Sequence, residues 1–360
     1  MAARRNKQMM VRSCRVFLND LNPGKAAIIR TFLYLCHTVT QYFIDLFWQR
    51  QDFSGALSDL STVHRAVHRF GITTRLAQAL AKQAKECVRS QHQRARKDNP
   101  TLTSHTVTLF YHFVTIEPFR GAGFAWAVRL IGSGAPRLTI PIPSTQPIMD
   151  RLQHGWTMSS TIRLGMRKGR LFVDFLFEKE RPFLKEDGRV VGMDSNYKNG
   201  LVFSDGQVAG SDLYPAIQGF AKRQKHTKAD IRSRLGATLK KIDFSGVKIL
   251  VIEDLKQVKH GKRGTFSRVV NRRLSHWLYA YAVSLLERKC EESGVRLERK
   301  DPYKTSQFCR HCRRWDRRNR NGDRFRCVHC GYTEQADHNA AHNLELLGLA
   351  GVYGLRLLPN

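Results

Sequence analysis

The chain has 360 residues, with 61 lysines and arginines against 30 aspartates and glutamates, and its formal net charge is +31. This charge disfavours an ordinary enzyme of small neutral substrates and indicates a polyanionic partner. Because no apolar run approaches the roughly 20 residues that span a bilayer, we expect nucleic acid rather than a membrane. The basic start of the chain lacks the apolar stretch of a signal peptide, which predicts a cytoplasmic protein.

The first hundred residues predict one strand followed by helices. Residues 9–18 have the pattern of a strand, and the turn residues Asn-Pro-Gly follow at 22–24. Helical stretches are predicted at 25–49 and 74–95. The first stretch carries aromatic side chains that can stack on bases, although at helical spacing such residues more often form a core. They are Phe32, Tyr34, Tyr42, Phe43, Phe47 and Trp48.

Residues 101–184 predict a β module. Short runs with period-two alternation are typical of strands and lie at 107–116, 137–142, 159–167 and 170–178. Strands at this density, two of them joined by a Lys-Gly turn at 168–169, favour a small barrel or sandwich interrupted early by the helices. No pattern in this region indicates catalysis, so we expect it to bind a partner.

Three carboxylates in the second half of the chain lie at the ends of predicted elements. Asp194 ends an apolar strand whose hairpin partner is predicted at 200–206. Glu253 ends a β-branched run at 247–253 that is typical of a buried central strand. Asp337 opens an apolar helix. Each acid alone is more often a cap or a surface charge, but three in this order can converge at one edge of a sheet.

Converging carboxylates predict a metal site. They are the hard oxygen ligands that Mg²⁺ prefers, and their mutual repulsion makes sense chiefly with metal bound. Two ions about 4 Å apart suit phosphodiester hydrolysis, because one activates water and the other stabilises the leaving 3′ oxygen.

Four cysteines form two pairs with the same tight spacing, Cys309 with Cys312 and Cys327 with Cys330. Two such pairs suit tetrahedral zinc, since each can present two sulfurs at about 2.3 Å from one ion. Unrelated cysteines or two disulfides are the alternative, which the matched spacing disfavours. A zinc site and unpaired thiols also fit a reducing cytosol.

Basic residues concentrate in and around these motifs. The arginines in and next to the loop between the cysteine pairs predict contacts with the phosphates of a DNA strand. They are Arg310, Arg313, Arg314, Arg317, Arg318, Arg320, Arg324 and Arg326. Arg324 or Arg326 is a candidate for stabilising charge in a transition state.

Two further basic segments lie between the acids. Lys222, Arg223 and Lys225 belong to a segment that we predict to be a basic helix alongside a nucleic-acid duplex, with a solvated helix face as the alternative. The basic run at 256–273 predicts a lid near the acids.

Several short segments together resemble a known family. They are Gly192-Met-Asp194, Ile252-Glu253-Asp254-Leu255, Thr305-Ser-Gln-Phe-Cys309, the two cysteine pairs, and Asp337-x-Asn-Ala-Ala-x-Asn343. These segments are similar to the RuvC and zinc-ribbon signature of TnpB, the RNA-guided nuclease of bacterial insertion sequences and ancestor of compact type V CRISPR effectors. The specific resemblance covers about 190–347, whereas the N-terminal half matches only in the order of its parts.

The resemblance implies roles for individual residues. Asp194, Glu253 and Asp337 would be the catalytic ligands of two Mg²⁺ ions, and the four cysteines would hold one structural Zn²⁺. The implied activity is an RNA-guided, Mg-dependent endodeoxyribonuclease of a prokaryotic cytoplasm, associated with the nucleoid. Its implied partners are target double-stranded DNA and a guide RNA of transposon-end or CRISPR type. Whether it is a monomer or a homodimer stays open.

The resemblance also implies the fold class. We expect an RNase H-like (RuvC) nuclease domain with an inserted zinc ribbon, preceded by a β-barrel-like wedge module with a helical recognition insertion. The expected bounds are 1–24 and 101–185 for the wedge module, 25–100 for the helical insertion, 186–308 and 333–360 for the nuclease domain, and 309–332 for the ribbon.

Two positions depart from the family pattern. Ser195-Asn196-Tyr197 follows the first acid where relatives often have a small, glycine-containing sequence, which we expect to alter access to the metals. Arg313 follows the second cysteine where glycine is common, which we expect to affect how tightly the knuckle turns. Neither departure removes a ligand.

Other functions stay open at this point. One is a DNA transposase with an RNase H-like core, although a zinc ribbon just before the third acid is not its usual layout. Others are a nuclease-inactive RNA-guided DNA-binding protein and a non-catalytic nucleic-acid-binding protein stiffened by zinc, neither of which needs the ordered acids.

Overall fold

The computed structural model describes residues 8–54, 57, 59–94, 97–121, 123–196, 198–221, 228–254, 279–301 and 304–353. The chain divides into two compact units, Met1–Glu180 and Arg181–Asn360. This division falls a few residues before the predicted end of the wedge module. In the part of the chain described, no helix is long and apolar enough to cross a membrane.

The first unit contains two antiparallel sheets. Its strands are β1 (Met9–Phe17), β2 (His105–Leu109), β3 (Val114–Gly121), β4 (Phe124–Leu130), β5 (Leu138–Pro143), β6 (Thr157–Arg167) and β7 (Arg170–Glu180). One sheet has the order β1-β7-β6-β2 and the other the order β3-β4-β5. The first strand of the unit therefore pairs with the last one, although the helices and the other strands lie between them in the sequence.

Four helices belong to this unit: α1 (Pro23–Gln49), α2 (Leu60–Phe70), α3 (Thr74–His92) and α4 (Gln146–Gln153). The starts of the first three are capped by the side chains of Asn22, Asp59 and Thr73. The aromatic residues of α1 mainly form core: Phe32, Phe43 and Phe47 are buried, whereas Tyr34 is exposed.

One strand predicted in this unit needs correction, and several elements were missed. The strand predicted at 107–116 is two strands, β2 and β3, which belong to different sheets. Helices α2 and α4 and strand β4 were not predicted. The Lys-Gly turn at 168–169 does join β6 to β7, and both of its residues have positive φ, as a tight hairpin turn requires.

The second unit contains a five-stranded mixed sheet. Its strands are β8 (Arg189–Asn196), β9 (Gly200–Phe203), β10 (Val208–Ala209), β11 (Val247–Glu253) and β12 (Arg296–Lys300). The order is β10-β9-β8-β11-β12, in which β11 runs parallel to β8 and β12, and β9 runs antiparallel to β8 and β10. The predicted hairpin partner of the first acidic strand and the predicted central strand are both found.

Helices cover both faces of this sheet: α5 (Tyr214–Ala221), α6 (Lys228–Lys240), α7 (Tyr279–Ser293) and α8 (Ala336–Tyr353). Successive side chains of a strand point to opposite faces. Val191 and Leu250 accordingly pack in a core with Leu286 of α7, whereas Val190 and Val251 pack with Leu344 of α8. Among the described helices of this unit, α8 thus covers one face of the sheet and the others pack on the opposite face.

Backbone contact fixes the position of α8. A Cβ atom added at Gly192 of β8 would lie 1.9 Å from the carbonyl oxygen of Ala341 and 2.4 Å from the amide nitrogen of Glu345. A Cβ atom at Gly348 would lie 2.4 Å from a methyl carbon of Val251. Only glycine at both positions allows the helix to lie this close to the strands.

The inserted ribbon is a small three-stranded sheet of β13 (Arg320–Asn321), β14 (Arg324–Arg326) and β15 (Thr333–Gln335). It leads directly into α8, and the amide of Ala336 donates to the carbonyl of Asp323 at 2.9 Å. The ribbon is therefore continuous with the helix that carries the third acid.

We expect Gly192→Ala to destabilise the protein by more than about 3 kcal/mol, because the new methyl group would meet backbone atoms that cannot move aside. Thermal unfolding followed by circular dichroism measures this change. Gly246→Ala is the matched control, since a Cβ atom there would meet only side-chain atoms of Arg189 at 3.8 Å and beyond. Equal melting temperatures for the two variants would contradict the close packing of α8.

Candidate active site and metal centre

The three predicted acids meet on the face of the sheet that α8 covers. Asp194 lies two residues after Gly192 and four after Val190 in β8, and Glu253 lies two residues after Val251 in β11. Because alternate side chains of a strand share a face, both acids point to this face. In the β8–β11 register, Met193 lies beside Ile252, which brings the two acids side by side. Asp337 is the second residue of α8, the helix that packs on this face of the sheet.

Burial makes this cluster electrostatically unfavourable on its own. Desolvation raises the pKa of Asp194 well above its ordinary value, and the charges of Glu253 and Asp337 raise it further. Burial likewise raises the pKa of Glu253, against the lowering effect of its hydrogen bond from Thr305. Three mutually repelling carboxylates in a buried cluster are a donor set that suits divalent cations, whose charge would offset the repulsion.

Asp337 is fully buried and is held by donors from three segments. The amide nitrogens of Asn196, Asn199 and Gln335 donate to its carboxylate at 3.1, 2.6 and 3.2 Å. The guanidinium of Arg320 pairs with the same carboxylate at 3.1 Å. Sequence reasoning did not assign this role to any of the four donors.

Glu253 has a separate support. The hydroxyl of Thr305 donates to its carboxylate at 2.7 Å. The amide nitrogen of Asn343 in α8 donates to the carbonyls of Thr305 and Phe308, each at 2.8 Å, and that of Asn339 donates to the carbonyl of Phe308 at 2.8 Å. The two asparagines of the closing helix therefore tie down the segment that orients Glu253.

The four cysteines lie together as predicted. Their sulfur atoms all lie within 4.8 Å of one another, and the shortest separations are 3.5 Å for Cys312 and Cys327 and 3.7 Å for Cys309 and Cys330. Four thiolates at about 2.3 Å from one tetrahedral ion are about 3.8 Å apart, so the spacing suits such an ion. The group can hold a metal.

The two cysteine knuckles have the same backbone geometry. The amide of Arg313 donates to the carbonyl of Cys309 at 2.8 Å, and that of Gly331 donates to the carbonyl of Cys327 at 3.0 Å. Both donors have positive φ, 58° for Arg313 and 75° for Gly331. Arg313 therefore occupies a left-handed position that favours glycine, so this departure from the family pattern is a strained one.

The ribbon arginines do not form one uniform surface. Arg310 pairs with Glu334 at 3.0 Å, and Arg318 pairs with Asp316 at 2.8 Å. The remaining predicted phosphate contacts on the ribbon have exposed side chains: Arg313, Arg314, Arg317, Arg324 and Arg326. Arg320, rather than Arg324 or Arg326, pairs with one of the three predicted acids, Asp337.

Some predictions fall on residues that the structure does not describe. Lys222, Arg223 and Lys225 lie outside the described residues, as does the basic run at 256–273. The basic helix is described from Lys228 onward, as α6.

Comparison with known proteins relates this chain to compact Cas12 proteins. Residues 279–344 match the family model described as "Cas12f1-like, TNB domain". The CRISPR-associated endodeoxyribonuclease Cas12f1 of Sulfoacidibacillus thermotolerans is 33% identical over 102 residues, which cover 28% of this chain and 22% of that protein. The chain therefore matches less than a quarter of the length of this curated relative.

A solved structure extends the likeness to most of the chain. A cryo-EM structure of a Cas12f1–sgRNA–target DNA complex aligns with a TM-score of 0.54 and 14% identity, covering 92% of this chain and 83% of that one. This chain has the fold of a compact Cas12 protein. The similarity supports a TnpB-like, compact type V relationship and does not single out TnpB itself.

We expect Arg313→Gly to stabilise the ribbon by about 1 kcal/mol, because it relieves a left-handed backbone, with some of the gain offset by the freedom of glycine in the unfolded chain. Competition with a chelator measures the effect as slower loss of zinc from the cysteines. Arg314→Gly is the control, because it also removes one arginine charge, at the neighbouring residue, whose φ is not positive. Equal gains for both variants would mean that charge, not backbone strain, is responsible.

Asp194→Asn should stabilise the protein without added divalent cations at neutral pH. With its pKa raised in the folded state, the wild-type carboxyl binds more protons folded than unfolded. Wild-type stability therefore falls as pH rises above the unfolded pKa, near 4, and stays low above the folded pKa. In thermal unfolding from pH 4 to 8, the melting temperature of the variant should increase relative to that of the wild type as the pH rises.

The control for this pH series is Asp243→Asn. Hydrogen bonds from Ser245 lower the pKa of Asp243, so its replacement should decrease stability at neutral pH. Added Mg²⁺ should stabilise the wild type and not Asp194→Asn. A pH dependence of stability that is identical in the wild type and Asp194→Asn would contradict the proposed repulsion at this cluster.

Proposed function

We propose that the protein is an RNA-guided DNA endonuclease that hydrolyses phosphodiester bonds of target DNA at one RuvC-type site. The observation that carries this proposal is the meeting of Asp194, Glu253 and Asp337 in one buried, mutually repelling cluster. A protein that only binds nucleic acid gains nothing from this unfavourable arrangement, which argues against the nuclease-inactive alternatives.

In the proposed mechanism, the three carboxylates hold two Mg²⁺ ions. When bound, such ions supply an activated water nucleophile and stabilise the leaving oxygen and the charge on the reacting phosphate. The amides of Asn196, Asn199 and Gln335 fix the orientation of Asp337, and Thr305 fixes that of Glu253. The supporting residues keep the oxygen ligands in place before substrate arrives.

Arg320 places a permanent positive charge at the cluster. Its side chain is partly exposed while it pairs with buried Asp337, so it can also reach a phosphate oxygen of the bound strand. There it would stabilise the charge that develops during cleavage. We assign to Arg320 the role expected of Arg324 or Arg326.

The four cysteines would hold one structural zinc. Zinc with four thiolate ligands has no open position for water, so it would take no part in hydrolysis. Its contribution would be to fold the ribbon, which carries Arg320 and leads into α8. Loss of a cysteine should therefore impair cleavage through Arg320 and Asp337.

The proposed partners follow from charge and from the related proteins. The Sulfoacidibacillus protein is named an endodeoxyribonuclease, and the aligned structure is a complex with sgRNA and target DNA. The net charge of +31 suits two nucleic acids. We propose that base pairing with the guide supplies sequence specificity and that the first unit grips the guide and reads a short motif beside the target.

The decisive test is cleavage by the purified protein with its own RNA. RNA that co-purifies is sequenced, and the guide deduced from it directs cleavage of a matching DNA flanked by random sequence. Asp194→Ala should abolish Mg²⁺-dependent cleavage, a loss of at least about a thousandfold for a metal ligand. Asp212→Ala, an exposed acid in the same unit, should cleave like the wild type.

Unchanged cleavage by Asp194→Ala would remove the catalytic assignment. Purified protein that carries no discrete RNA would favour the transposase alternative, which needs no guide.

A further inference from the structure

A cavity of about 500 Å³ opens in the second unit beside α8. It lies near the start of β8, whereas Asp194 lies near the end of that strand. Its walls come from the start of β8, the turn after β9, the first cysteine knuckle, the start of β15 and the middle of α8. None of the proposed metal ligands lines it. A cavity of this size accommodates a small planar ligand.

One wall is flat and aromatic. The rings of His311 and Tyr332 are stacked, with centroids 5.6 Å apart and planes 8° apart. The hydroxyl of Tyr332 accepts a hydrogen bond from Arg310 at 2.8 Å, and Arg310 is itself paired with Glu334. The ring plane is therefore fixed before any ligand enters, which lowers the entropy cost of stacking against it.

The floor carries a charged acceptor. The carboxylate of Glu345 accepts hydrogen bonds from the imidazole of His342, at 3.3 Å, and from the hydroxyl of Ser204. Despite partial burial, these bonds lower its pKa, so the carboxylate stays ionised and can accept from a ring N–H or an exocyclic amine. Apolar side chains of Val190 and Leu346 complete the wall.

The rim carries a cation. The side chain of Arg189 is 66% exposed, and its contact with Asp205 is long, at 3.9 Å. Its guanidinium can therefore turn to a phosphate at little cost. A planar wall, an acceptor at the floor and a cation at the rim match the parts of one nucleotide, with the base inside and the phosphate outside.

The location favours a nucleotide of a DNA strand over a free one. Val190 at the cavity and Asp194 at the acids lie on one strand and on one face, about 13 Å apart at the usual rise per residue. The cavity flanks α8, so a strand presented to the acids reaches it by extending about 13 Å alongside the helix.

We propose that this cavity holds one unpaired nucleotide of the DNA strand presented to the carboxylates, with its base against His311 and Tyr332 and its phosphate at Arg189. This inference rests on the proposed function for the identity of the strand. Capture of one base would fix the register in which the strand lies at the acids.

Photocrosslinking tests the proposal. The full-length protein with its co-purified RNA, carrying Asp194→Asn so that the probe stays intact, is irradiated with a short single-stranded oligodeoxynucleotide containing 5-iodo-deoxyuridine. Mass spectrometry should place the crosslink on Tyr332 or His311. Leu346→Trp, which fills the cavity, should reduce crosslinking by about tenfold, as expected for loss of one stacked base.

Matched variants guard against indirect effects. Arg189→Gln should also weaken the crosslink, whereas Arg296→Gln, the same charge change on β12, should leave it unchanged. His311→Ala should reduce the crosslink to Tyr332, as Leu346→Trp does, and it replaces the tryptophan variant if that variant does not fold. Zinc content and thermal unfolding report folding for each variant.

The outcomes separate this proposal from the proposed function. Crosslinks that map elsewhere, or that survive Leu346→Trp, overturn the cavity assignment even if the wild type cleaves DNA. A stronger crosslink to an RNA oligonucleotide of the same sequence overturns the assignment to DNA. Crosslinks at Tyr332 in a protein that does not cleave DNA would support the cavity while refuting the nuclease.

Discussion

The contact between the backbones of α8 and β8 at Gly192 is the constraint on which the rest of the second unit depends. It sets the height of the helix above the sheet, and with it the position of Asp337 relative to Asp194 and Glu253. The same helix presents Asn339 and Asn343 to the segment that orients Glu253. One close approach therefore fixes two of the three acids through different routes.

The ribbon extends this arrangement rather than standing apart from it. Arg320 pairs with Asp337, and Lys198 in the turn between β8 and β9 pairs with Asp323 of the ribbon. Cys309 and Cys327 are buried in the core of the ribbon, and these ion pairs connect the ribbon to the elements that carry the acids. A candidate metal centre and an acid cluster that look like separate motifs in the sequence are thus parts of one framework.

Local patterns in the sequence were sufficient to predict the elements that carry the acids. An apolar strand ended by an acid is recognisable without knowledge of its neighbours, and β8, β11 and α8 were all predicted from such runs. Helix α2 was missed although Asp59 caps it, because the segment is short and rich in basic residues. The predicted single strand at 107–116 could not show the turn that sends its two halves to different sheets.

The supports of the acids could not be predicted in the same way. Asn196, Asn199 and Arg320 reach Asp337 from other segments of the chain, and only tertiary packing brings them together. Gln335 is a local partner, two residues before Asp337. Eight arginines in and next to the cysteine loop are indistinguishable by composition, and the position of the ribbon decides that Arg320 pairs with Asp337. Asn196 was visible as a departure from the family pattern, but its effect on the site was not.

The order of the acids along the chain has a consequence for the newly made protein. The ribosome releases β8 and β11 first, then the cysteine pairs, and α8 only afterwards. The strands can begin to pair during synthesis. The cluster of acids, however, is completed only when Asp337 arrives after the ribbon. A nascent chain therefore holds two of the three acids without the third, and the proposed site stays incomplete until α8 has emerged.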